Sequence, residues 1–118
     1  MHERLLCEAL ITTAGCQLAA RPELAGRKLR ALKVSVGALS GCEPALLCHL
    51  FPHASPGTVA EGASLEVEFQ PARISCLDCG KVQEVPANQL CCPSCGSLRI
   101  RLEAGDGVYL TGLSLGDA

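Results

Sequence analysis

The chain has no tryptophan, one tyrosine and two phenylalanines in 118 residues. None of the three lies between Cys76 and Glu103, so that stretch has no ring to stack on a base, which is how single strands are usually held. So few aromatics also mean that any core is assembled from Leu, Ala and Val. A large excess of one charge sign is missing too. A formal net charge of −2 gives no bulk attraction for a phosphate backbone. No apolar run approaches the roughly 20 residues of a membrane span. The opening Met1-His2-Glu3-Arg4 carries both signs of charge, and the apolar stretch after it is broken by Glu8 and Thr12-Thr13. That is not the pattern of a secretory signal, and a cytoplasmic protein is expected. There is no internal repeat, no low-complexity tract, no nucleophile motif and no phosphate-cradling loop, so the chain does not read as an enzyme.

Cysteine is abundant instead, with nine residues. An odd count cannot all pair within one chain, and a reducing compartment with metal-bound thiolates is the natural reading. Cys76-x-x-Cys79 and Cys92-x-x-Cys95 stand twelve residues apart. Four thiolates at this spacing make a tetrahedral cage suited to structural Zn²⁺. Each second cysteine is followed by glycine (Gly80, Gly96), and Pro93 presets a turn in the second pair. A redox dithiol needs only one such pair, and an iron site shares the geometry. Cys91 is a rival to Cys92, but only Cys92 preserves the Cys-x-x-Cys-Gly symmetry. Cys7, Cys16, Cys42 and Cys48 are expected as free thiols buried like small hydrophobes.

The period of the apolar residues changes along the chain. Leu6, Leu10, Ala14 and Leu18 predict a helix from Glu3 to about Ala20 with one buried face. Leu32, Val34 and Val36 alternate with Lys33 and Ser35, the signature of a half-buried strand. A short helix from about Glu43 to Leu50 should follow, burying Leu46, Leu47 and Leu50 and ending before Pro52. Leu65 to Phe69 alternates as a second strand, Ile100 and Leu102 belong to a strand of the cysteine module, and Val108 to Leu115 is strand-like again. The order predicts an α+β fold: two helices packed on a small three-stranded mixed sheet, with an inserted zinc-ribbon domain built on four cysteines. The expected boundaries are 1–71 for the first part of the α/β domain, 72–104 for the ribbon, and 105–118 for the returning strand.

These segments resemble a known family. Met1-His2-Glu3, the run Val36-Gly37-Ala38-Leu39-Ser40-Gly41-Cys42-Glu43-Pro44, the stretch Gly57-Thr58…Glu61-Gly62-Ala63 and the paired cysteine motifs, with Cys92-Pro93-Ser94-Cys95-Gly96-Ser97, are similar to HypA proteins. These are the nickel metallochaperones of hydrogenase and urease maturation. The resemblance implies two helices on a small mixed sheet with a projecting zinc ribbon, and two ions: Ni²⁺ as cargo and Zn²⁺ as a structural metal. It implies a maturation GTPase (HypB-like) and the [NiFe]-hydrogenase large-subunit precursor as partners. Nucleic acid and membrane are not implied, and a monomer or weak homodimer is expected. The chain departs from the family at Pro52-His53, where members usually continue an aromatic-rich helical run.

Chemistry at the N-terminus agrees with that resemblance. A histidine at position 2 offers the terminal amine of Met1, its own amide and its imidazole, closing two fused chelate rings on one ion. A nitrogen-rich tetragonal set of this kind suits Ni²⁺ or Cu²⁺, and the bulky His2 should protect Met1 from removal. A histidine near a terminus is otherwise an ordinary solvated residue, so the resemblance makes His2 the leading ligand. Glu3 and Glu43 are weaker candidates, since both also suit helix N-termini, where negative charge is favoured. His49 and His53 stand four apart, a spacing that places two ligands on one helix face. Pro52 argues against a helix there, which favours solvated or core histidines. The alternative function is a zinc ribbon that binds nucleic acid or another protein. Lys81, Arg99 and Arg101 are, however, balanced by Asp78, Glu84 and Glu103 in that stretch.

Overall fold

The structure, a computed structural model, describes residues 2–116, with the His2 side chain outside the description. In chain order it contains α1 (His2–Ala19), a 3₁₀ turn (Pro22–Leu24), β1 (Leu29–Gly37), α2 (Pro44–Ala54), β2 (Ser64–Gln70), β3 (Ala72–Cys76), β4 (Val82–Val85), β5 (Ile100–Ala104) and β6 (Val108–Leu115). The strands form two three-stranded sheets, ordered β2-β1-β6 and β4-β3-β5. The fold is therefore α+β, with two helices and a second small sheet whose connecting turns carry Cys79, Cys92 and Cys95, Cys76 ending β3.

The first sheet is mixed. The Ser64 hydroxyl donates to the Arg30 carbonyl and the Ala38 N–H to the Gln70 carbonyl, so β1 and β2 pair start to start and end to end. A parallel pair needs a crossover, and α2 supplies it. On the other side, the Gly37 N–H donates to Gly107 and the Gly116 N–H to Lys28, which makes β6 antiparallel to β1. The central strand behaves as its alternation predicts: Leu32, Val34 and Val36 are buried and Lys33 is exposed.

The helices pack against each other. Cys7, Leu10, Ile11 and Ala14 are buried on α1, and Leu47 and Phe51 on α2. Leu6 and Leu18, expected in the core, are only half-buried. A strict four-residue spacing drifts about 40° per step on a 3.6-residue helix, so its ends leave the buried face and Cys7 and Ile11 fill the centre. The Cys7 thiol reaches the Leu47 carbonyl at 3.6 Å. Cys16 and Cys48 are exposed and Cys42 is half-buried, so of the four cysteines expected inside only Cys7 is a core residue.

The second helix corrects the sequence reading in two ways. It continues through Pro52 to Ala54, and it buries Leu47 and Phe51, while Leu46 is 37% exposed. Proline at 52 removes the N–H that would bond the Cys48 carbonyl and crowds that carbonyl. Burial of Phe51 holds the last turn in place despite this cost, and the Ser55 N–H still reaches the Phe51 carbonyl at 3.1 Å. Phe51 is the only one of the three aromatics that is buried; Phe69 is 59% exposed in spite of the alternation around it.

The chain divides into two compact units. One takes in the residues up to Ser35, Glu43–Glu68 and the chain from Tyr109 onward. The other takes in Val36–Cys42 and Phe69–Val108. The core of the second is small: Ala72, Ile74 and Val85 are buried, with Leu39 and Ile100 packed against them. β3 lies at its centre, antiparallel to β4 through Ile74↔Gln83 and to β5 through Ile74↔Leu102. Among the described residues no helix is long and apolar enough to cross a membrane.

Candidate metal centre

Two turns of the same construction carry the four cysteines. In the first, the Cys76 N–H donates to Lys81, the Gly80 N–H to the Cys76 carbonyl, and the Cys79 N–H to the Cys76 sulfur at 3.4 Å. In the second, the Cys92 N–H donates to Ser97 and the Gly96 N–H to the Cys92 carbonyl. Gly80 and Gly96 hold φ of +77° and +74°, the left-handed conformation that closes each turn. The repeated Cys-x-x-Cys-Gly motif is thus two copies of one backbone device, each aiming two sulfurs inward.

The two turns bring their sulfurs together. Cys76 Sγ lies 3.6 Å from Cys95 Sγ, and Cys79 Sγ 3.6 Å from Cys92 Sγ. All four ligand atoms lie within 4.8 Å of one another. A disulfide needs about 2.05 Å, so these are not bonded pairs. Four sulfurs about 2.3 Å from one zinc ion stand about 3.8 Å apart at tetrahedral angles. The residues fit such an ion in donor type, number and spacing. Cys91 is half-buried and takes no part in the cluster.

The surroundings tie one turn to the other. Asp78, in the first, accepts from the Ser97 hydroxyl and from Arg99, the latter at 2.9 Å. Ser94, in the second, accepts from Gln83 at 2.9 Å and from Lys81 at 3.5 Å. Arg99 is thereby spent on Asp78, and Arg73 lies 3.6 Å from Glu84.

The four thiols do not hold their protons equally. The Cys79 N–H, opposed by burial, draws Cys76 down to about 6. The Cys95 N–H likewise lowers Cys92. The Lys81 N–H acts downward on Cys79, but burial and the Cys92 and Cys76 thiols leave it raised. At Cys95 the Ser97 N–H also acts downward, yet the Cys76 thiol and burial push it up to about 12. Each turn therefore pairs one thiol that gives up its proton more readily with one that holds it, and a dication would discharge the held proton by its own field.

The N-terminal candidates are placed differently. Met1 and the His2 side chain lie outside the described residues. Glu3 is 4% exposed, and its Oε2 accepts from the Glu43 N–H at 3.1 Å. Glu43 is the N-cap of α2, is exposed, and makes no cap bond with its own side chain. The carboxylate from α1 instead binds the N–H of the N-cap residue itself, across the helix pair. Sequence reasoning assigned each glutamate to its own helix start and missed that Glu3 reaches the start of the other helix. His49 and His53, expected as solvated or core residues, are exposed on one face of α2, with ring centroids 5.8 Å apart.

Comparison with known proteins extends the picture. A family model described as hydrogenase/urease nickel incorporation, metallochaperone, hypA, matches residues 1–115. The hydrogenase maturation factor HypA of Nitrosospira multiformis is 41% identical over 115 residues, covering 98% of this chain and 97% of that protein. HypA of Aquifex aeolicus is 38% identical with the same coverage. The solution structure of the Ni metallochaperone HypA from Helicobacter pylori is similar with a TM-score of 0.72 over 100% of both chains. At 21% identity that likeness is one of fold.

Proposed function

The chain belongs to the HypA family of hydrogenase/urease nickel-incorporation metallochaperones, and on that premise we propose that it carries Ni²⁺ at its N-terminus and holds Zn²⁺ at Cys76, Cys79, Cys92 and Cys95. His2 is the leading nickel ligand, with the Met1 amine and the Glu3 amide beside it and Glu43 as an outer candidate. The first N–H groups of a helix take no part in its hydrogen-bond ladder, so amide nitrogens at the start of α1 suit this use. The observation that carries the reading is the Glu3–Glu43 hydrogen bond of 3.1 Å, which gathers the start of α1 and the start of α2 into one place.

The zinc is structural in this reading. A core of three buried side chains is too little to hold a small ribbon, and modules of that size usually need a metal or disulfides. A four-sulfur cage also leaves no open position for chemistry. The ribbon domain is taken as 72–104, inserted between 1–71 and 105–118. The cargo would pass, with a maturation GTPase, to the hydrogenase large-subunit precursor in the cytoplasm. A terminus with few rigid ligands suits release better than a closed cage.

The test is a nickel titration of the wild type, His2→Ala and a form with one extra residue before Met1, with zinc counted separately. Nickel affinity should fall about 100-fold or more in both altered forms, in line with loss of chelate nitrogens. Zinc should stay at one ion per chain. Unchanged nickel affinity in the extended form would sink the terminal-amine site.

A further inference from the structure

Nothing assigned so far uses the histidine pair on α2. His49 and His53 are exposed, four residues apart, on a helix that runs unbroken beneath both. Neither ring takes part in a hydrogen bond or ion pair among the described residues; each has only the other as a ring neighbour. A core histidine would be satisfied by a partner. Here all four ring nitrogens remain available on one face.

The separation fits a shared ion. A metal-bound imidazole nitrogen lies about 2.0–2.1 Å from the ion, which puts the ring centroid about 3.2 Å away. Two such centroids stand about 4.5 Å apart for ligands at a right angle and about 6.5 Å for opposed ones. The observed 5.8 Å, with the planes tilted by 57°, lies within that range. The surroundings favour a cation as well: from Pro44 to Ala60 there is no Lys or Arg to repel one, and no Asp or Glu to compete for it. Cys48 is exposed but adjacent to His49, and neighbours in sequence do not share a helix face.

We infer that His49 and His53 form a second, two-imidazole site for a borderline divalent ion such as Ni²⁺. Neutral imidazoles suit Ni²⁺, Cu²⁺ and Zn²⁺. With two protein ligands and water for the rest, the site binds weakly and exchanges freely, unlike the cysteine cage. It is also distinct from the terminal chelate. His49 lies six residues beyond the N-cap Glu43, about 9 Å along the axis from the end of α2 that the Glu3 carboxylate reaches. Bridging the helix between 49 and 53, an ion there also fastens the turn that Pro52 weakens.

The experiment uses the full-length, zinc-loaded chain and NiCl₂ in four forms: wild type, His2→Ala, His49→Ala/His53→Ala, and all three changes together. Nickel broadening of amide signals and bound nickel per chain are read together. In His2→Ala, broadening should centre on residues 45–54 with one weakly held ion. The triple variant should lose that broadening and bind nickel at least tenfold more weakly. In the His2→Ala background, His53→Gln alone should do the same with an unaltered circular dichroism spectrum, which separates ligand loss from unfolding. Broadening that persists around α2 in the triple variant, or that never appears there in His2→Ala, would overturn the proposal. Failure of the terminal site would show separately, as equal nickel binding by wild type and His2→Ala.

Discussion

Gly37 and Gly105 meet backbone to backbone: a Cβ on Gly37 would stand 2.5 Å from the Gly105 carbonyl carbon. Gly105 is as tightly placed, since its own Cβ would come within 2.7 Å of the Pro71 carbonyl oxygen, and its φ is +95°. The approach is locked by the Leu39 N–H donating to the Gly105 carbonyl at 2.8 Å and by the Gly37 N–H donating to Gly107 at 2.9 Å. Three passes of the chain cross where only hydrogen fits.

Substitution at this crossing should be costly. Gly105→Ala combines a positive φ, worth about 1–2 kcal/mol, with overlap against backbone that cannot swing aside, worth about 1–3 kcal/mol. Gly37→Ala carries the overlap alone. Gly57→Ala is the control: it shares a positive φ of +77° but meets nothing within 4 Å, so only the conformational cost remains. Urea denaturation should rank the losses Gly105→Ala first and Gly57→Ala well behind. Equal losses at Gly57 and Gly105 would show that crowding is not the cause.

Glu3 should prove structural as well as functional. Its carboxylate satisfies the Glu43 N–H at the start of α2, and leaving that part-buried N–H without its acceptor costs about 1–3 kcal/mol. Glu3→Ala should fall in that range by thermal denaturation, and Glu3→Gln, which keeps an acceptor oxygen, should lose less. Glu43→Ala should stay within about 0.5 kcal/mol, because the exposed side chain makes no cap bond. Nickel affinities of these variants therefore have to be compared at matched stability.

Zinc removal should dismantle one unit and spare the other. Ala at Cys76, Cys79, Cys92 or Cys95 leaves three sulfurs and a core of three buried side chains, and binding energy in such modules is folding energy. Metal analysis should show zinc falling from one per chain to below about a tenth, with amide signals of β3, β4 and β5 collapsing and those of α1 and α2 retained. Cys91→Ala should keep its zinc. The reverse pattern for Cys91 and Cys92 would mean that the cage is drawn from the wrong cysteine.

What the sequence disclosed and what it hid follow from the range of the interactions. The metal turns were legible because Cys-x-x-Cys-Gly is a local device: spacing, glycine and hydrogen bonds all lie within six residues of chain. The central strand was legible because Leu32, Val34 and Val36 alternate against Lys33. The end of α2 was not, because local chemistry at Pro52 opposes the helix and only tertiary burial of Phe51 decides otherwise. The Glu3–Glu43 link spans forty positions, and nothing in either neighbourhood announces it. The contact of Gly37 with Gly105 was hidden for the same reason. Pro52→Ala restores an N–H opposite the Cys48 carbonyl, and it should raise stability by about 1–3 kcal/mol.

Nickel and zinc should part company as pH falls. Protons compete with the ion for the His2 imidazole, which ordinarily titrates within the physiological range, and a coordinated amide must expel its proton as well. A site that displaces one proton loses about tenfold in affinity per pH unit, and one that displaces two loses about a hundredfold. Between about pH 7.5 and 6 nickel affinity should therefore drop by well over tenfold. Thiolates on zinc stay deprotonated because the ion's charge holds them so, and the cage should keep its metal over the same interval. The sign is set by which donors must lose protons to bind: both sites weaken in acid, but the chelate of nitrogen does so first. Paired nickel and zinc occupancy measured across that interval checks it. A flat nickel curve would exclude imidazole and amide donors, and parallel loss of both metals would mean that the fold, not the terminal chelate, is what acid disrupts.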